Sequence, residues 1–168
     1  DALAAFLLID LDDFKMVNDQ MGHLVGDAVL THFAKELKNI LPKEDVVFRI
    51  GGDEFVVLST SVKTIEEAEN LAIRINSEVI TKVNILKGPG NDISASIGVS
   101  MIPGNGRDLK TLYNKSDKAL YLVKKNGKNA YHFYQEREKG LNEMLQQDEE
   151  STYADLEQLK NLIQEKRN

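Results

Sequence analysis

Two acidic clusters stand out by residue type and spacing. Asp10-Leu11-Asp12-Asp13 follows a continuous apolar run, Phe6-Leu7-Leu8-Ile9, and Asp53-Glu54 follows a glycine pair, Gly51-Gly52. Carboxylates at the end of a buried strand are costly unless water, a cation or a hydrogen-bond donor receives them. Glycine permits positive φ and lets backbone or ligand come close. Acid beside bare backbone at a hairpin tip suits a metal ion and a phosphorylated substrate. A lone Gly-Gly-Asp-Glu reads more simply as a solvated turn. The second cluster upstream is what shifts the reading toward chemistry.

The elements that must position these groups follow from the apolar pattern. Val46-Val47-Phe48 leads into the glycine pair and Phe55-Val56-Val57-Leu58 leads out, which predicts a hairpin over 46–50 and 53–59. Alternate strand residues point to opposite faces, so of Asp53 and Glu54 one can face a cleft and the other its rim. A strand is expected over about 4–10 and a helix over 13–21, where Phe14, Val17 and Met21 recur at helical spacing. Lys15 and Asn18 are then neighbours on its opposite face. Asp27 is expected to open a longer helix over 26–41, with Val29, Leu30, Phe33, Leu37 and Leu41 in its stripe. A helix over 64–82, a loop at Lys87–Asn91, a strand over Ile93–Ile102, a helix over Asp108–Lys125 and a last strand over Asn129–Tyr134 complete the pattern. The central hairpin argues against a wholly parallel sheet, so the expected class is α+β.

Bulk properties narrow the function classes. The chain has 168 residues, 42% of them hydrophobic, enough for one domain and an appendage. A net charge of −6 argues against nucleic acid as a partner. An acidic protein that binds an anionic nucleotide needs local lysines or a divalent metal. Cysteine is absent, which removes disulfides and thiolate chemistry. No apolar stretch reaches membrane-spanning length, and the start, Asp1-Ala2-Leu3, lacks a signal-peptide pattern. A cytoplasmic location is expected, with no membrane contact from this segment, although a longer parent chain could carry an anchor. Residues 135–168 change character: Leu156, Leu159 and Ile163 suggest a short amphipathic helix, a coiled-coil segment, a linker or a solvated tail.

Four pieces in order resemble the GGDEF family, the diguanylate cyclases that make cyclic di-GMP from GTP. They are Asp10-Leu11-Asp12-Asp13-Phe14-Lys15 with Asn18-Asp19, Gly22-His23 with Gly26-Asp27, Gly51 to Phe55, and Ser96-Ile97-Gly98-Val99 followed by Ala119-Leu120-Tyr121 and Lys124. The resemblance covers about residues 3–134, giving a domain over 1–134 and a tail or linker over 135–168. It implies a central, mostly antiparallel five-stranded sheet flanked by helices, similar to the palm of nucleotidyl cyclases and polymerases. It implies two Mg²⁺ or Mn²⁺ ions per site, held by Asp10, Asp53, Glu54 and the Leu11 carbonyl. Glu54 either accepts the 3′-hydroxyl proton or holds the second metal. Asn18 and Asp27 match guanine readers. Lys15, Lys124 and Lys128 match phosphate-holding positions, assisted by backbone N–H groups of Asp13 and Phe14. A second copy of the domain and an upstream sensor are the implied partners.

Simpler readings stand beside these. Asp27 serves as a helix cap, Lys124 and Lys128 complement a helix dipole, Asn18 is a surface residue, and His23 makes structural bonds in a turn. Phe14 and Tyr121 belong to the core, and Arg49 forms a salt bridge within the hairpin. The alternative function is a catalytically inactive GTP-binding regulatory module. Two departures from the family pattern matter. The inhibitory Arg-x-x-Asp ending five residues before the glycine pair reads Pro42-Lys43-Glu44-Asp45 here, so product inhibition through that site is expected to be weak. Family domains also begin upstream with an Asp-x-Leu-Thr segment and a helix, whereas this chain starts almost at its first strand. Its absence is expected to loosen the nucleotide pocket and lower activity.

Overall fold

Strand β1 (Ala4–Asp12) is buried along its whole length, which explains its unbroken apolar run: both of its faces are covered. The computed structural model describes residues 3–136, together with Lys160 and Asn161. The tail helix expected around Leu156, Leu159 and Ile163 lies outside the described residues. β1 is followed by α1 (Phe14–Met21), α2 (His23–Ile40), β2 (Val46–Gly51), β3 (Glu54–Ser59), α3 (Ile65–Arg74), a π-helical stretch (Ile75–Val79), α4 (Ile80–Lys87), β4 (Ser94–Ile102), α5 (Leu109–Lys125) and β5 (Tyr131–Phe133).

The sheet runs in the order β2-β3-β1-β4-β5. β1 pairs antiparallel with both β3 and β4, and only β4–β5 is parallel. The expected α+β, mostly antiparallel five-stranded architecture is therefore correct. Alternation divides the core in two. Leu7, Ile9 and Leu11 face α1 to α4 with Val29, Phe33 and Ile75. Phe6, Leu8, Val56 and Leu58 face α5 through Leu112, Tyr113 and Leu120. Each such large side chain contributes about 1.5–3 kcal/mol on burial. Phe33 of α2 meets Phe55 of β3 edge to face at 4.9 Å, fixing the hairpin to the helical layer.

Two boundaries differ from the sequence expectation. α2 begins at His23, not at Asp27, because Gly22 at φ 88 turns the chain out of α1 and its carbonyl accepts the Gly26 N–H at 3.1 Å. Asp27 is therefore an exposed residue inside the helix and not its N-cap. The helix expected over 64–82 runs on to Lys87 through the π stretch. Its buried positions Ala72, Ile75, Val79 and Val83 are separated by three, four and four residues. Spacing of four drifts around an α-helix of 3.6 residues per turn. The wider i→i+5 turn keeps those side chains on the core face. Among the described residues no helix is long and apolar enough to cross a membrane.

Candidate functional site

The two acidic clusters meet. Asp10 lies directly opposite Glu54 in the β1–β3 ladder, and the Leu11 N–H donates to the Asp53 carbonyl at 3.2 Å. Even-numbered β1 residues face α5, so Asp10 and Glu54 project toward that helix. The tip is braced from its own hairpin. Arg49 Nε donates to the Gly52 carbonyl at 2.8 Å, a hydrogen bond to backbone within the hairpin where a salt bridge was expected. Gly52 sits at φ 52, in the left-handed region that favours glycine. A Cβ added to Gly51 or Gly52 would meet nothing within 4 Å, so the approach to the tip is open.

The electrostatics of this cluster are strained toward excess negative charge. Burial pushes the Asp10 carboxyl from the usual 3.8 to about 6; Lys124 pulls it back and Asp53 adds to the rise. Burial likewise raises Glu54 from 4.5 to about 7, helped by the charges of Asp10 and Asp117 and opposed by Lys124. Lys124, from the last turn of α5, bonds Asp10 Oδ2. Burial pulls the Lys124 pKa down, but Asp10, Glu54 and Asp53 outweigh it and hold the ammonium above its usual value. Asp10 Oδ1 is buried without a hydrogen-bond partner. An orphaned carboxylate oxygen among like charges is a place where a cation is wanted. Among the described residues no three His, Cys, Asp or Glu side chains close a metal cage. Mg²⁺ usually takes one or two carboxylates and completes its shell with phosphates and water. Asp10, Asp53, Glu54 and the Leu11 carbonyl, the ligands the resemblance implies, are the candidates for such a shell, and Asp10 and Glu54 stand opposite each other in the ladder.

Beside this cluster α1 opens at Phe14. Asp13 precedes it at φ 53 and provides no side-chain cap. The Met16 N–H donates to the Asp13 carbonyl at 2.9 Å, which leaves the Phe14 and Lys15 N–H groups of the first turn for another acceptor, the arrangement that favours phosphate oxygens. The Asp13 carboxylate pairs instead with Lys128 Nζ at 2.7 Å. Both C-terminal lysines are therefore engaged by carboxylates across the site, and not only by a helix dipole. The Phe14 side chain is core, as the simpler reading held. Lys15 is exposed on α1. Asn18 is half-buried against Gly26 of α2, and Asp27 follows Gly26 in the chain. Neither side chain makes a hydrogen bond to the described residues. Asp27 also lines a groove of about 850 Å³ between α2 and the hairpin, with Leu30, Thr31, Lys35, Lys38 and Arg49.

Asp12 and Gly26 are given no role of their own by the sequence reading, and Asp117 is absent from it. Asp12 is buried and accepts from Ser94 Oγ at 2.7 Å, Ser96 Oγ at 2.6 Å and the Asn129 N–H at 3.1 Å, tying β1, β4 and the approach to β5 together. Its alternation with Asp10 was a usable signal. Asp117, which raises Glu54, is half-buried on α5 one residue after the buried Ser116. Gly26 is a glycine inside a helix, a signal of close approach.

The sequence matches the family model described as "Diguanylate cyclase, GGDEF domain" over residues 1–130. The chain is 36% identical over 135 residues to the bifunctional diguanylate cyclase/cyclic di-GMP phosphodiesterase MucR of Pseudomonas aeruginosa, covering 80% of this chain and 19% of that protein. It is 37% identical over 125 residues to diguanylate cyclase A of Treponema denticola, covering 74% of this chain and 33% of that protein. The chain thus spans a third or less of the length of these relatives. Its fold is similar to the GGDEF domain of TpbB from P. aeruginosa, at a TM-score of 0.75 and 28% identity over 84% of this chain and 83% of that one. It is also similar to the active GGEEF domain of a diguanylate cyclase from Vibrio cholerae, at 0.68 and 32% over 80% and 84%. With a family model matched over residues 1–130 and relatives 36–37% identical over about three quarters of its length or more, this chain belongs to the GGDEF family.

Proposed function

We propose that the domain condenses two GTP molecules into cyclic di-GMP and two pyrophosphates, the 3′-hydroxyl of each nucleotide attacking the α-phosphate of the other. The observation that carries this reading is the register of Asp10 against Glu54, with Asp53 joined to Leu11 beside them. Charge that builds on phosphoryl oxygens needs positive charge held in place. Two Mg²⁺ or Mn²⁺ ions supply that neutralisation when bound at Asp10, Asp53, Glu54 and the Leu11 carbonyl. Lys124 and Lys128 hold the β- and γ-phosphates, with the open N–H groups at the start of α1. A lysine at position 128 offers a point charge and no bidentate fork. Asn18 and Asp27 read the guanine edge, and both side chains are unengaged in the described protein. Glu54 takes the hydroxyl proton or completes the metal shell.

One domain holds one GTP, so turnover requires two domains facing each other as an antiparallel pair. A sensor upstream would set that pairing, in the cytoplasm where GTP is. Weak product inhibition through the Pro42–Asp45 window is supported by Asp45 itself. Its carboxylate is buried and accepts from Ser59 Oγ, Ser61 Oγ and the N–H groups of Thr60 and Ser61, at 2.7 to 3.0 Å. It is a structural clamp with no free oxygen to offer a ligand.

Incubation with GTP and Mg²⁺, followed by chromatography of the products, tests the proposal. Cyclic di-GMP is the expected product. GTP that binds yet remains unchanged in a dimerised sample would assign the regulatory role instead.

A further inference from the structure

Gly26 is buried in α2 and has ordinary helical φ. Its backbone needs no glycine there. In a helix interior glycine is less stable than alanine by about 0.5–1 kcal/mol. The explanation lies in the space above it. An ideal Cβ at position 26 would stand 1.8 Å from Asn18 Oδ1, 3.0 Å from Asn18 Cγ and 3.3 Å from the Phe14 ring. Phe14 is a core residue and cannot yield far. Asn18 can: it is half-buried, and its amide has no hydrogen bond to hold it among the described residues. An added methyl group would therefore leave the helix intact and evict the Asn18 amide.

We propose that Gly26 is a specificity-determining residue, whose missing side chain is the seat that fixes the Asn18 amide beside Asp27. The inference rests on the base-reading role given above to Asn18. Hydrogen-bond recognition of a base requires donors and acceptors held in one geometry before the ligand arrives. In this chain that geometry for Asn18 comes from a notch in the neighbouring helix and not from a hydrogen bond. Gly26 is a positioning residue: it acts through Asn18 and offers the nucleotide no polar group.

The test compares Gly26→Ala, Asn18→Ala and the double variant in the full chain. Affinities for GTP and ATP with Mg²⁺ are measured by competition against a fluorescent nucleotide, and thermal midpoints are measured without nucleotide. Gly26→Ala is expected to keep its midpoint within a few degrees and to lose about tenfold of the GTP-over-ATP preference, the worth of one well-placed hydrogen bond. The double variant is expected to match Asn18→Ala in both readouts, because the second change removes the group with which the methyl collides. A folded Gly26→Ala protein with undiminished preference overturns the inference, provided Asn18→Ala does lose it. If Asn18→Ala keeps the preference, the base-reading assignment itself fails. A double variant markedly less stable than Asn18→Ala also overturns the inference, since Gly26 would then serve Phe14 or the backbone.

Discussion

Replacing Glu54 by glutamine should abolish turnover and make the metal-free protein more stable at alkaline pH. Glu54 is the carboxyl that burial, Asp10 and Asp117 raise from 4.5 to about 7. A group whose folded pKa lies above its unfolded value binds its proton more tightly in the folded state. The stability it contributes is fully present below about 4.5 and is lost as pH rises through about 7. At about 1.36 kcal/mol for each pKa unit, the ionised side chain costs the folded state up to about 3 kcal/mol at pH 8. Glutamine keeps the shape, has no charge to desolvate, and so escapes that cost. Urea unfolding in EDTA, followed by circular dichroism at pH 5, 6, 7 and 8, is the assay. Glu54→Gln should match its parent within about 1 kcal/mol at pH 5 and exceed it by up to about 3 kcal/mol at pH 8. Adding Mg²⁺ at pH 8 should narrow the gap, because only the parent retains the full set of carboxylates for the cation. A parent–variant difference that does not change with pH, or a variant less stable at pH 8, would refute the reasoning.

Other consequences follow from single contacts. Asp45→Ala leaves the donors of Ser59, Thr60 and Ser61 without their acceptor and should cost about 3 kcal/mol in urea unfolding. Gly98→Ala would place a Cβ 2.0 Å from the Ser116 carbonyl oxygen and 2.6 Å from the Leu120 nitrogen. Backbone atoms cannot swing aside, so β4 and α5 must separate; a loss of about 3 kcal/mol is expected, read as a lowered thermal midpoint. Lys128→Met should leave the midpoint unchanged, since its pair with Asp13 is solvent-exposed, while GTP affinity falls several-fold in a binding titration.

The sheet was legible because its strands alternate or run apolar in ways that neighbouring elements enforce. β1 is the clearest case: nine residues buried on both faces leave no choice of conformation. The meeting of Asp10 with the hairpin tip was legible too, through the resemblance and through the cost of placing acid at the end of such a strand. Local pattern failed where the decisive partner was distant in sequence or lacked a side chain. The start of α2 depends on the φ of Gly22, which composition does not specify. The π stretch hides inside a stripe that reads as ordinary helix. Asp12 gains its meaning from Ser94 and Ser96, which reach it only after β4 has paired. Gly26 gains its meaning from Asn18, one helix away.

Lys124 links the cost of the site to its proposed use. With no cation present its ammonium is the main positive charge that tempers Asp10, and it also restrains Glu54. The same ammonium is assigned to nucleotide phosphate. One lysine cannot neutralise Asp10 fully and hold phosphate fully, because both acceptors compete for the same three N–H donors. Phosphate that draws Lys124 away leaves Asp10 buried with two unpartnered oxygens, a state that either a proton or another cation relieves. A divalent cation at Asp10 in turn frees Lys124 for the phosphates. Each ligand thus removes the penalty that opposes the other, and by linkage their affinities must rise together. On the proposed function this exchange would take place at the end of β1, where pairing with β3 and β4 on either side keeps Asp10 from escaping the charge by moving.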